Sequence, residues 1–207
     1  MRISFTGLTQ LYTNSFFDRF TDKWPNYLQS SVNNYIPDDI SLVTSQQEQW
    51  EKLNNIIDVM QQHRNNDHIY YHGSAIDNIV YSIWANAKGH DYEDEFIQKC
   101  LPIVAESMKF VDVVFYVPDT KHDDIDVSSD FDEIQNLYTA VNSKWQDDET
   151  PFFIKDDRPP VIELFGDDEQ RVEIISLYMD EQGDSIGAQG IIDPGELEEL
   201  EKAFGIK

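Results

Sequence analysis

At 207 residues and a net charge of −25, the chain is long enough for one domain with a substantial core and too short for two full-sized ones. Hydrophobic residues at 40% and aromatics at 13% exclude an unfolded acidic chain, which lacks the apolar surface to offset its ordering entropy. The acids gather late: residues 119–207 hold 25 acids against 7 bases, a net of −18, and this disfavours nucleic-acid binding, which depends on cations that displace counterions from phosphates.

Such acidity has two readings, attraction to a basic partner (mimicry of DNA included) or simple solubility in water or a salt-rich medium. The single cysteine, Cys100, cannot form an internal disulfide and falls in a patterned apolar stretch, which suits a reducing compartment. No apolar run approaches the roughly eighteen residues of a membrane span, and the first residues are too quickly interrupted by polar ones for a signal peptide. A cytoplasmic protein without a membrane partner is expected.

The run Ile3 to Leu8, broken by Gly7, reads as a short buried strand entering a turn. Thr13, Asn14 and Ser15 are good helix caps, and Phe17, Phe20 and Trp24 follow at helical spacing until Pro25. Between residues 26 and 44 the apolar residues Tyr35, Ile36, Ile40, Leu42 and Val43 hint at one strand. Trp50, Leu53, Ile56, Ile57 and Met60 predict an amphipathic helix from Gln46 to His63. Ile69 to Tyr71 reads as a buried strand. Ser74 and Asp77 have capping-box spacing ahead of the stripe Ile76, Ile79, Val80, Ile83 and Trp84, which runs out near Gly89.

A further helix is expected from Tyr92 to Lys109, with Phe96, Cys100, Val104 and Met108 inward and Pro102 producing a kink or a local irregularity. Val111 to Val117, β-branched and aromatic, suits a strand covered on both faces, and Pro118 ends it. After an Asp-rich loop over 119–130, Phe131, Ile134, Leu137, Tyr138 and Val141 predict a helix reaching Trp145. Val161 to Phe165 reads as a strand, and Gln170 to Met179 as a helix whose β-branched content leaves a strand open. A Gly-rich linker from Glu181 to Gly190 leads to a last helix capped by Asp193, with Leu197, Leu200 and Phe204 as its stripe. Alternating strands and helices argue for a mostly parallel sheet flanked by helices.

A glycine directly after a first strand, opening a loop into a helix, is where a phosphate cradle of the pattern G-x-x-x-x-G-K-[ST] sits. Here Gly7 opens the loop, but Tyr12 stands for the second glycine, Thr13 for the lysine and Asn14 for the hydroxyl residue, with Ser15 next. The stretch Ile69 to Ser82 resembles the strand, Asp-Arg-Ser and helix segment of P-loop nucleoside and nucleotide kinases, phage-encoded ones in particular. Phe96 to Met108, Val111 to His122 and Val161 to Gly166 are also similar to that family, so the resemblance spans residues 1–180.

The resemblance implies a three-layer α/β P-loop kinase-like domain over 1–180, with 119–158 an acidic counterpart of the kinase lid. Residues 181–207 are then a linker and a short C-terminal helix. His72 and Gly73 occupy the positions of the family's Asp-Arg pair, so the group near the substrate or metal and the cation steadying transferred charge are both replaced. Degenerate phosphate-loop positions (Gly7, Tyr12, Thr13, Asn14, Ser15) and degenerate Asp-Arg positions (His72, Gly73) together imply a pseudoenzyme with no catalytic residue, no cofactor and no metal. Its expected role is binding or assembly, through its acidity, with a protein of basic surface in host cytoplasm or a virion. The alternative is an active nucleotide or nucleoside kinase using ATP and magnesium, with Lys121 or Arg158 supplying the missing cation.

His72 at a strand end either lines a ligand crevice or hydrogen-bonds its neighbouring loop. Asp124, Asp126, Ser128 and Asp130 have half the spacing of a calcium loop, but Ser129 and Gln135 stand where the glycine and closing glutamate belong, so a solvated acidic loop is expected. The five histidines show no zinc-ligand spacing.

Overall fold

The computed structural model describes residues 1–7, 14–30, 44–118, 129–146 and 159–182. In chain order these form β1 (Arg2–Gly7), α1 (Asn14–Lys23), β2 (Leu28–Ser30), α2 (Gln46–Gln62), β3 (Ile69–His72) and α3 (Ala75–Ala87). There follow α4 (Asp94–Ser107) with a 3₁₀ turn (Met108–Phe110), β4 (Val113–Val117), α5 (Ser129–Gln146), β5 (Val161–Glu163) and α6 (Asp168–Glu181). The strands make one five-stranded sheet in the order β2-β3-β1-β4-β5, and every pairing is parallel. Parallel neighbours need crossovers, and the helices supply them on both faces.

Alternation along the strands divides the core in two. Ile3 and Phe5 of β1, Tyr70 of β3 and Val113, Phe115 and Val117 of β4 pack with Phe16, Phe17, Phe20 and Trp24 of α1 and Val172, Ile175 and Met179 of α6. On the other face Ile69 and Tyr71 of β3 and Val114 and Tyr116 of β4 meet α2, α3, α4 and α5. Phe5 is fully buried and lies 5.0 to 5.7 Å, between ring centroids, from Phe16, Phe17, Phe20 and Phe115.

The expected elements from β1 to α1 and from α2 to α6 are present, with ends moved by a few residues. Ser74 and Asp77 do form a capping box on α3, and Ser45 with Glu48 forms another on α2. Asp167 and Gln170 form a third on α6, which is thus a helix and not a strand. Helix α4 continues through Pro102, with Phe96 only partly buried and Ile97 turned inward beside Cys100 and Val104. Strand β2 was not expected: Leu28 is 63% exposed and the three residues carry no apolar alternation, so only pairing with β3 defines it. The strand hinted at by Tyr35 to Val43, the Asp-rich loop before α5, the linker and the last helix lie outside the described residues.

Candidate functional site

In an open parallel sheet, ligands sit beyond the carboxyl ends of the strands, where the chain switches from one side of its first strand to the other. That point is at β1, between β3 and β4, and Gly7, His72 and Val117 stand at the strand ends there. Of the residues singled out by the sequence, Gly7 closes β1 and His72 closes β3, with Gly73 next on the way to α3. Asn14 and Ser15 open α1, and Tyr12 and Thr13 lie outside the described residues, as does the side chain of Asn14.

Gly7 has φ +120, and a Cβ there would stand 2.3 Å from the carbonyl oxygen of Val117. The approach of β4 demands a glycine at this position whatever the turn binds. Gly73 has φ +135, and its carbonyl accepts a 2.9 Å bond from the Ser4 hydroxyl. Neighbouring His72 faces α1: its ring meets the Phe17 ring edge-on at 3.8 Å between centroids, and its Nε2 is buried without a hydrogen-bond partner. Burial lowers the His72 pKa, because the imidazolium would lose its hydration there.

Beside Gly7, on the α3 face, lies a carboxylate known from the sequence only as a helix cap. Asp77 is buried; its Oδ1 accepts from the Thr6 hydroxyl at 2.5 Å and the Tyr138 hydroxyl at 2.9 Å, and its Oδ2 from the Ser74 amide at 2.8 Å. The Gly7 amide acts on it too. Burial pushes the Asp77 carboxyl up to about 6, against the pull of these four donors downwards. Tyr138 is raised well above its ordinary value, by burial and by the carboxylate it faces.

A second cluster joins the first turns of α1 and α6. The Ser15 hydroxyl donates to Asp168, and the buried Arg171 guanidinium lies 3.6 Å from Asp168 and donates at 2.8 Å to the Pro118 carbonyl beyond β4. Lys121 and Arg158 lie outside the described residues, while Arg171 is a cation described beside the end of β4. Sequence reading missed it because α6 shows only an apolar stripe, and the Pro118 carbonyl that holds the guanidinium is 53 residues away. The Asp77 network left a signal that could have been used. Ser4 and Thr6 alternate with Ile3 and Phe5 in a strand covered on both faces, and buried hydroxyls require partners.

Among the described residues no group of His, Cys, Asp or Glu could hold a metal ion, and no helix is long and apolar enough to cross a membrane. No family model and no curated protein sequence matches the chain. Among solved structures, it is similar to a thymidylate kinase from Candida albicans, with a TM-score of 0.54 at 15% identity over 89% of this chain and 92% of that one. The likeness is one of fold: the five-stranded parallel sheet with helices on both faces is that of a P-loop kinase.

Proposed function

We propose that this chain is a P-loop-kinase fold, of phage origin, that has given up phosphoryl transfer and serves as a binding or assembly protein. It engages a basic protein surface through its acidic half, in host cytoplasm or in the virion. The observation that carries the reading is Asp168 against the first turn of α1. A helix N-terminus favours an anion, and here the chain supplies its own, which would repel a polyphosphate. Tyr12 and Thr13, in place of the glycine and lysine of a cradle, agree with this, as does the engagement of Arg171 by Asp168 and a main-chain carbonyl. Helix α6 displays Glu169, Glu173, Asp180 and Glu181, with Leu177 exposed among them, a face suited to a cationic partner.

Calorimetric titration of the full chain with ATP and magnesium is expected to give no saturable heat, and no phosphate should pass to any nucleoside or nucleotide, thymidylate being the first to try. Tight binding with transfer overturns the reading. Affinity purification from the native source should recover a basic protein.

The likeness to a thymidylate kinase along most of the chain favours a second reading, an active nucleotide kinase with a divergent cradle. It requires nucleotide-dependent stabilisation of the fold. A panel of nucleotides with magnesium that leaves the melting temperature unmoved removes it.

A further inference from the structure

Thr6 and Asp77 are 71 residues apart in sequence, and Asp77 and Tyr138 are 61 apart, yet one carboxylate oxygen serves both hydroxyls. Asp77 thereby ties together the end of β1, the head of α3 and the middle of α5. Among the described side chains of α5, Ile134 and Tyr138 are buried and Leu137 and Val141 pack against the same core, and the Tyr138 ring stacks on Tyr116 of β4 at 5.9 Å. The groups facing Asp77 are Thr6 and Gly7 from β1, Ser74 from the α3 cap and Tyr138 from α5, with Tyr116 behind it, and each of the four donors is neutral. The charged pair joining the same two helices, Lys88 and Glu133 at 2.8 Å, lies at the surface with the Glu133 side chain 52% exposed. A carboxylate enclosed this way has hydrogen bonds but no counter-cation among these donors, so it gains by taking a proton or by reaching water.

We propose that Asp77 is a proton-operated latch on α5: holding a proton, it keeps the helix docked on the sheet, and losing it favours release of α5 so that the carboxylate is hydrated. What is released matters for binding, because α5 joins two acidic stretches, one with Asp123, Asp124 and Asp126, the other with Asp147, Asp148 and Glu149. The inference does not depend on whether the β1 turn binds a nucleotide.

The sign follows from linkage. Docked, the Asp77 carboxyl titrates at about 6; released into water, it returns toward its ordinary 3.8. The released state therefore binds fewer protons between these values, and its population grows with pH across that window. From pH 5 to 7.5 the opening equilibrium of α5 should rise about tenfold by this linkage.

Amide hydrogen exchange of the full chain, corrected for the intrinsic pH dependence of exchange and read at α5 against α2 as internal reference, tests this. The expected result is the tenfold rise at α5 with little change at α2, and its disappearance in Asp77→Asn, which has no proton to lose. If Asp77→Asn does not fold, Tyr138→Phe serves: removing one donor to the carboxylate raises its pKa, so the rise at α5 should move to higher pH. Parallel changes in α5 and α2, an undiminished rise in Asp77→Asn, or an unmoved rise in Tyr138→Phe would each overturn the latch.

Discussion

The two faces of the sheet are built from the same strands but solve burial differently. On the side of α1 and α6, Phe5 lies among aromatic rings and the strand contributes only apolar side chains. On the side of α3 and α5, the intervening residues Ser4 and Thr6 carry hydroxyls, and the core takes in Ser74, Asp77 and Asn78. The first face is held mainly by area and packing, with the buried His72 as its titrating group. The second is held partly by hydrogen bonds to a group that titrates, and its strength depends on solution conditions.

The largest effect that separates the faces should come from Phe5→Ala. A fully buried phenylalanine packed among rings leaves a cavity that its neighbours cannot close, and such truncations cost about 3–5 kcal/mol. Urea unfolding should show that loss undiminished from pH 5 to pH 8. A loss below about 1 kcal/mol, or one that varies strongly with pH, would break the distinction between the faces.

Next in size is the pH profile itself. Asp77 has a folded pKa raised from 3.8 to about 6, so the folded state binds more protons than the unfolded one between those values. Its contribution is fully present below 3.8 and is lost as pH rises through 6, an effect on the order of 2–3 kcal/mol. His72, on the opposite face, has the opposite sign: its folded pKa is lowered by burial, so protonation of the unfolded chain below 6.5 draws stability away as pH falls. Stability measured by denaturation in Asp77→Asn should therefore lose the gain toward acid. In His72→Phe, which fills the site against Phe17 with a ring that cannot titrate, the gain toward acid should steepen. A profile unaltered by both substitutions would refute the assignment of these two groups.

How far the sequence anticipates this molecule depends on the range of the interaction. Elements whose signal is local were legible: the Trp50 to Met60 periodicity, the Ser74 and Asp77 spacing, and the β-branched run into Pro118 each became the expected helix, cap or strand. Strand β2 was not, because Leu28 to Ser30 have no pattern of their own and exist as a strand through backbone bonds to β3. At the candidate site Gly7 and His72 close strands, Gly73 follows β3 and Ser15 lies in the first turn of α1. The groups that define its chemistry were not foreseen, since Asp77 acquires its role from Thr6 and Tyr138, and Arg171 from Pro118, all distant in sequence.

The smallest expected effect sharpens the comparison within a single face, for the described polar contacts between α3 and α5 include the buried Asp77 and Tyr138 pair and, at the surface, Lys88 and Glu133. The surface pair is the closer-charged of the two contacts, yet its charges are screened by water and its long side chains lose rotamer freedom in meeting, so such pairs contribute about 0.2–1 kcal/mol. Lys88→Gln should thus lower stability by no more than about 0.5 kcal/mol at low ionic strength, and the difference should vanish in about 0.5 M salt, where the screening length falls to a few ångströms. Thr6→Val, by contrast, strips a donor from a buried carboxylate and should cost about 1–3 kcal/mol at pH 7 with little response to salt. If the lysine substitution proved the more damaging, α5 would be held by its surface charges, and the buried carboxylate would be incidental to its docking.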